Sequence, residues 1–185
     1  MSGWLVTVVG PSGAGKDTLL GVARSRLHAD PRFVFARRAI TRPAEATGHA
    51  GAEDHEPMTE AAFLTAADAG AFALHWQAHG LRYGIPATIQ ADLDAGHVVI
   101  ANLSRGVLAE AQARFRLKVI NVTAPPAVLA ARLAGRGRES AGEISARLAR
   151  SAPVPPGIDL IEVFNDGTPE QGAERLLVAL RSIAA

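Results

Sequence analysis

Residues 4–27 read WLVTVVGPSGAGKDTLLGVARSRL, and this stretch decides the fold. Leu5-Val6-Thr7-Val8-Val9 is a short β-rich run that ends in glycine, the pattern of a buried strand. From Lys16 to about Leu27, Leu19, Leu20, Ala23 and Leu27 share one helical face. Between them lies Gly10-Pro11-Ser12-Gly13-Ala14-Gly15-Lys16. Glycines in a strand-to-helix turn let successive backbone N–H groups point inward around phosphate oxygens. The helix that follows offers its positive end, and Lys16 adds a point charge for the outer phosphates of a nucleoside triphosphate. This reads as an ATP-binding loop.

Asp17 stands where such loops carry Ser or Thr. A carboxylate is a hard oxygen donor and suits Mg²⁺, directly or through water. It also places negative charge beside a triphosphate, so metal dependence is expected. Thr18 is a second possible metal ligand, and a purely capping role for Asp17 at the helix start is the alternative.

Further along, strand-like runs (Phe33–Phe35, Phe72–Trp76, Val98–Ala101, Leu117–Val122, Leu160–Phe164) alternate with helical patterns. Those patterns cover Thr59–Ala69, Pro86 to Gly96, Gly106–Arg114, Pro126–Leu133, Glu143–Arg150 and Pro169–Ile183. Alternation of this kind predicts one α/β domain over residues 1–185, a mostly parallel sheet with helices on both faces. Thr41 to Met58 is rich in Gly, Pro, Glu and His and reads as a long, mobile, functional loop.

The 185-residue chain has room for one core. Its net charge of +1 gives no electrostatic footprint for nucleic acid or a membrane surface. The absence of cysteine removes disulfides, thiolate metal sites and Cys nucleophiles, and fits a cytoplasmic setting. No apolar run has the length of a membrane span. All but two of the nineteen basic residues are Arg, the exceptions being Lys16 and Lys118. Biased composition explains that by default, but clustered guanidinium forks also suit phosphate oxygens.

Several segments together resemble the guanylate-kinase-like branch of the nucleoside monophosphate kinases, nearly end to end. GPSGAGK is similar to that family's phosphate loop. Arg38-Ala39-Ile40-Thr41-Arg42-Pro43 resembles its TTRPPR segment, and HGLRYGIP (79–86) its GNYYGT segment. LAGRGR (133–138), followed by Arg147, resembles the arginine-bearing lid, and Asn165-Asp166 the late turn beside adenine. The resemblance implies a P-loop kinase with an acceptor-binding region at about 37–86 and a lid at about 135–150. It implies catalytic Lys16, Arg136, Arg138 and Arg147.

The base-reading positions differ. Leu74 falls where that family places a guanine-reading Glu, and Ala101 where it places a strand-end Asp. Guanine N–H donors left unpaired there would cost about 1–3 kcal/mol each. With GK followed by Asp and LHWQAHGLRYGIP (74–86), the chain resembles the ribose 1,5-bisphosphate phosphokinases of phosphonate catabolism. That implies an ATP-dependent kinase acting on a small sugar phosphate to make 5-phosphoribosyl 1-diphosphate. A guanylate or other nucleoside monophosphate kinase is the alternative, and a non-catalytic guanylate-kinase-like binding module a distant one.

Candidate acceptor-phosphate residues are Arg38, Arg42, Arg82 and Tyr83, with Arg42 matching a family landmark. Asn102, Ser104 and Arg105 end a strand where open α/β sheets bind ligands, although a plain turn explains them equally. Trp76 is expected in the core, and His55 is expected to be solvated in its acidic loop.

Overall fold

The computed structural model describes residues 3–11, 13–42, 54–135 and 154–184. Five parallel strands form the main sheet: β1 (Trp4–Val9), β2 (Phe33–Phe35), β7 (Val98–Ala101), β8 (Leu117–Thr123) and β9 (Asp159–Phe164). Their order is β2-β7-β1-β8-β9, so β1 lies at the centre. Val6 and Val8 point to one face of the sheet, Leu5 and Val9 to the other, as strand alternation requires.

On the first face, α1 (Lys16–Leu27) and α6 (Pro169–Ile183) pack side by side. Leu19, Ala23 and Leu27 of α1 meet Leu176, Leu177 and Leu180 of α6 in one core. The start of α6 is fixed by a capping box in which Thr168 and Gln171 satisfy each other's backbone N–H groups. On the second face lie α3 (Ile89–Asp94), a 3-10 turn (Arg105–Val107) and α4 (Leu108–Arg114). The helix α5 (Pro126–Ala134) follows β8. The mostly parallel α/β arrangement read from the sequence is thus the arrangement observed. Among the described residues, no helix is long and apolar enough to cross a membrane.

Of a second sheet, the sequence showed only the strand at Phe72–Trp76. This sheet has four strands in the order β4-β3-β6-β5: β3 (Arg38–Ile40), β4 (His55–Pro57), β5 (Phe72–Ala78) and β6 (Leu81–Pro86). The chain leaves the main sheet after β2 and returns on β7, and those two strands are neighbours (Val34 opposite Val99). The hairpin between β5 and β6 turns on His79 (φ 52°) and Gly80 (φ 74°), the two successive positive φ values of a type I′ turn. α2 (Glu60–Asp68) covers one side of this sheet, stacking Phe63 on Phe72 at 4.6 Å.

Three expectations change. The stretch Thr41–Met58 holds a strand, β4, paired in parallel with β3. Pro86 closes β6 instead of opening a helix, because a strand's last residue needs no ladder N–H. His55 is buried on β4, 4% exposed, with Nε2 3.3 Å from the Arg42 carbonyl oxygen. Its neighbours Asp54 and Glu56 take the opposite face and bind Arg37, while Arg24 of α1 also reaches Asp54. The helix expected at Glu143–Arg150 lies outside the described residues.

Candidate active site

The loop after β1 is shaped by two close approaches. Gly10 has φ 152°, and a Cβ there would lie 2.0 Å from the Val122 carbonyl oxygen. Gly15 has φ 84°, and a Cβ there would lie 2.7 Å from Asn165 Nδ2. Only glycine allows both contacts. Ala14 N–H closes the turn onto the Pro11 carbonyl at 3.2 Å. Lys16 Nζ donates to the carbonyls of Gly10 (2.8 Å) and Pro11 (3.2 Å), which holds the ammonium against the loop backbone. Ser12 lies outside the described residues.

Asn165 and Asp166, expected beside adenine, divide their roles. Asn165 is 4% exposed, and its Nδ2 donates to the Ala14 carbonyl at 2.8 Å. Its own N–H bonds the Thr123 carbonyl at 2.7 Å, so β8, β9 and the loop are tied at one point. Asp166 is exposed and bonds Arg175 Nη1 at 2.6 Å. That hydrogen bond holds its carboxyl below the usual carboxylate range.

Asp17 and Thr18 lie exposed in the first turn of α1, whose N-cap is Gly15. The Asp17 carboxylate makes no hydrogen bond or ion pair with the described residues, so the capping role has no contact to support it. No cluster of three or more metal-binding side chains occurs among the described residues. The exposed Asp17 carboxylate is a donor type that Mg²⁺ accepts, since that ion takes one or two carboxylates together with substrate phosphates and keeps several waters.

The acceptor-side candidates fall on two faces of the second sheet. Tyr83 lies opposite Ile40 on one side and Trp76 on the other. The next row, Arg38, Ile85 and Leu74, follows from the same register and points the same way. This face turns toward the carboxyl ends of the main sheet, where Leu74 and Ile85 join the core of the second face. Trp76 is half-buried against that core, as expected, and it also stacks on Tyr83 at 5.4 Å and 11°.

Arg82 alternates to the other face, where Nε binds Glu60 of α2 at 3.0 Å. The structure therefore does not bring Arg82 together with Arg38 and Tyr83. Arg38 is 7% exposed and donates from Nη1 to the Asn102 carbonyl at 2.8 Å. Arg42 continues two residues beyond Ile40, and its buried Nε has no hydrogen-bond partner among the described residues.

Asn102, Ser104 and Arg105 extend from the carboxyl end of β7, next to the strand that carries the loop. Ser104 precedes the 3-10 turn without a side-chain capping bond. Burial lowers the Arg105 guanidinium from its usual value, with Glu162 opposing the shift. Thr7, a polar residue inside an apolar strand, was missed as a site residue. It is fully buried, and its Oγ1 accepts the Leu103 N–H at 3.2 Å. Arg136, Arg138 and Arg147 lie outside the described residues.

A central strand leading through a glycine loop into a lysine-headed helix, with a small mixed sheet over the same edge, defines a P-loop kinase of guanylate-kinase-like fold. The guanylate kinase of Anaplasma phagocytophilum superimposes with a TM-score of 0.68 at 18% identity, covering 98% of this chain and 86% of that one. No protein-family model matches the chain. The ribose 1,5-bisphosphate phosphokinase PhnN of Acidiphilium cryptum is 55% identical over 97% of this chain and 94% of that protein. Its namesake in Methylobacterium radiotolerans is 46% identical over 98% of this chain and 99% of that protein. The chain belongs to the ribose 1,5-bisphosphate phosphokinase family.

Proposed function

We propose that the protein transfers the γ-phosphoryl group of ATP to the 1-phosphate of ribose 1,5-bisphosphate, giving 5-phosphoribosyl 1-diphosphate and ADP. An oxygen of the acceptor phosphate attacks the γ-phosphorus, and the bond from that phosphorus to the β,γ-bridging oxygen breaks. The acceptor is already anionic, so no general base is required. What the reaction needs is alignment and neutralisation of two polyanions.

The loop backbone from Gly10 to Gly15 would cradle the ATP phosphates, with Lys16 released from its two loop carbonyls to reach the β- and γ-oxygens. Asp17, with Thr18 beside it, would hold Mg²⁺, which when bound neutralises charge on the transferring phosphates. Arg42 and Tyr83 would take acceptor phosphate oxygens, and Asn102 and Ser104 the sugar hydroxyls, with Arg105 adding positive charge at the same edge. Arg136, Arg138 and Arg147 are the proposed lid. A dependence on ATP would favour a cytoplasmic location.

The observation that carries the sugar-phosphate reading is the apolar closure of the acceptor face. Leu74 and Ala101 are each 1% exposed, inside the core. A base presented there would find no carboxylate at these two positions for its N–H groups, and selection by hydrogen bonding fails when the partners are missing. The test is turnover followed by phosphorus NMR with ATP, Mg²⁺ and either ribose 1,5-bisphosphate or GMP. Diphosphate resonances of 5-phosphoribosyl 1-diphosphate are expected. Formation of GDP without sugar turnover would refute the reading.

A further inference from the structure

The segment between β7 and the 3-10 turn is held from two directions. From β1, Thr7 Oγ1 accepts the Leu103 N–H at 3.2 Å, three residues before the loop begins at Gly10. From the second sheet, Arg38 Nη1 donates to the Asn102 carbonyl at 2.8 Å. The Arg38 guanidinium carbon stands 5.1 Å from the Tyr83 ring centroid and 5.8 Å from that of Trp76. Those centroids are themselves 5.4 Å apart. Three nearly equal distances place the guanidinium against both rings rather than over one alone.

A phosphate-binding arginine needs an open fork of N–H groups facing the anion. Arg38 has one nitrogen on a backbone carbonyl, its flank against two rings and 7% of its surface exposed. We infer that Arg38 is a positioning residue and not a phosphate ligand: it fixes the acceptor sheet to the Asn102–Ser104 segment, which Thr7 fixes to the strand bearing the donor loop. The Trp76–Tyr83 stack is its seat. The chain of contacts therefore runs from the sheet that holds the acceptor to the strand that holds ATP.

The inference rests on the kinase reading above but fails separately from it. Wild-type turnover identifies the acceptor, whereas the Arg38 result is a ratio of variant to wild type on whichever acceptor turns over. A displacement of about 1 Å between reacting groups can cost about 10²-fold in rate. Arg38→Met is expected to lower kcat by about that factor, with KM for ATP and for the acceptor within about threefold of wild type. An acceptor KM raised about tenfold or more with kcat retained would make Arg38 a phosphate ligand and overturn the inference. Unchanged kinetics would overturn it as well.

Thr7→Val keeps the shape of the side chain and removes the hydroxyl, and is expected to lower kcat by about tenfold. Because both residues hold the same segment, Arg38→Met combined with Thr7→Val should lose less than the product of the single losses. Fully multiplicative losses would refute the shared path. Should Arg38→Met fail to fold, Arg38→Lys takes its place. Lysine keeps the charge but loses the guanidinium that reaches both rings and the Asn102 carbonyl, so the same fall in kcat is expected and full activity refutes the inference.

Discussion

Gly172→Ala is expected to destabilise the protein although alanine is the better helix former. In an open helix the exchange would contribute up to about 1 kcal/mol of stability. Here a Cβ at position 172 would lie 2.3 Å from Asn165 Oδ1, 2.9 Å from its Cγ and 3.1 Å from Leu19 Cδ2. Asn165 cannot retreat, since Gly15 abuts its other side and its Nδ2 holds the Ala14 carbonyl. Overpacking a tight site costs about 1–3 kcal/mol, and breaking a buried hydrogen bond about 1–3 kcal/mol. After the helix gain, a net loss of about 1–5 kcal/mol remains. At about 2–4 °C per kcal/mol for a domain of this size, thermal melting resolves it.

The matched control is Gly21→Ala in α1, where a Cβ meets nothing within 4 Å. That variant should gain up to about 1 kcal/mol and melt higher. Gly172→Ala should also raise KM for ATP, because the displaced Asn165 no longer holds the loop, while Gly21→Ala leaves it unchanged. If Gly172→Ala melts at or above wild type with KM for ATP intact, Asn165 does not wedge the loop and the reasoning fails.

Arg42→Ala should raise the acceptor KM by about tenfold or more, and Arg82→Ala by less than about threefold, because Arg82 faces α2; equal effects in steady-state kinetics would refute the two-face assignment. Asp17→Ala should leave thermal stability within about 0.5 kcal/mol, since the exposed carboxylate makes no hydrogen bond or ion pair with the described residues, while shifting the Mg²⁺ dependence of the rate about tenfold upward. A fourth expectation concerns acid. A hydrogen bond from Arg37, supported by one from Arg24, depresses the Asp54 carboxyl. A depressed carboxylate stabilises the fold fully above its unfolded value, about 3.9, and that contribution disappears as pH falls through the lower folded value. The stability difference between wild type and Asp54→Asn, from urea unfolding, should be constant above about pH 5 and shrink below about pH 4. A difference that persists in acid would remove Asp54 from the link between α1 and β4.

The main sheet and the donor loop were legible because their signals are local. An apolar run, a glycine pattern and a lysine-headed helix lie within one short stretch, and α6 announces itself by Thr168, Pro169 and its apolar spacing. Of the second sheet, only β5 gave such a signal, through the alternation of Phe72–Trp76. Three-residue strands such as β3 and β4 are too short to show a period, and His55-Glu56-Pro57 sits among polar residues. Once β6 is known to be a strand, alternation alone separates Arg82 from Tyr83, so that error began with the missing element. Thr7 did carry a readable sign, as the one polar residue inside an apolar strand. Asn165 was marked by the resemblance, but not as a wedge: that role depends on Gly15 and Gly172, which only folding brings to it.

The place where the second sheet joins the first has a consequence for how such enzymes can diverge. Departure after β2 and return on adjacent β7 means that the span from Arg38 to Pro86 is spliced in between two hydrogen-bonded neighbours. Its exchange for another span would alter neither the order of the five parallel strands nor the loop at Gly10. With the second sheet binding the acceptor as proposed, a lineage could change the receiver of the phosphoryl group in one replacement while the giver's half is inherited intact, and a designer could graft along the same seam.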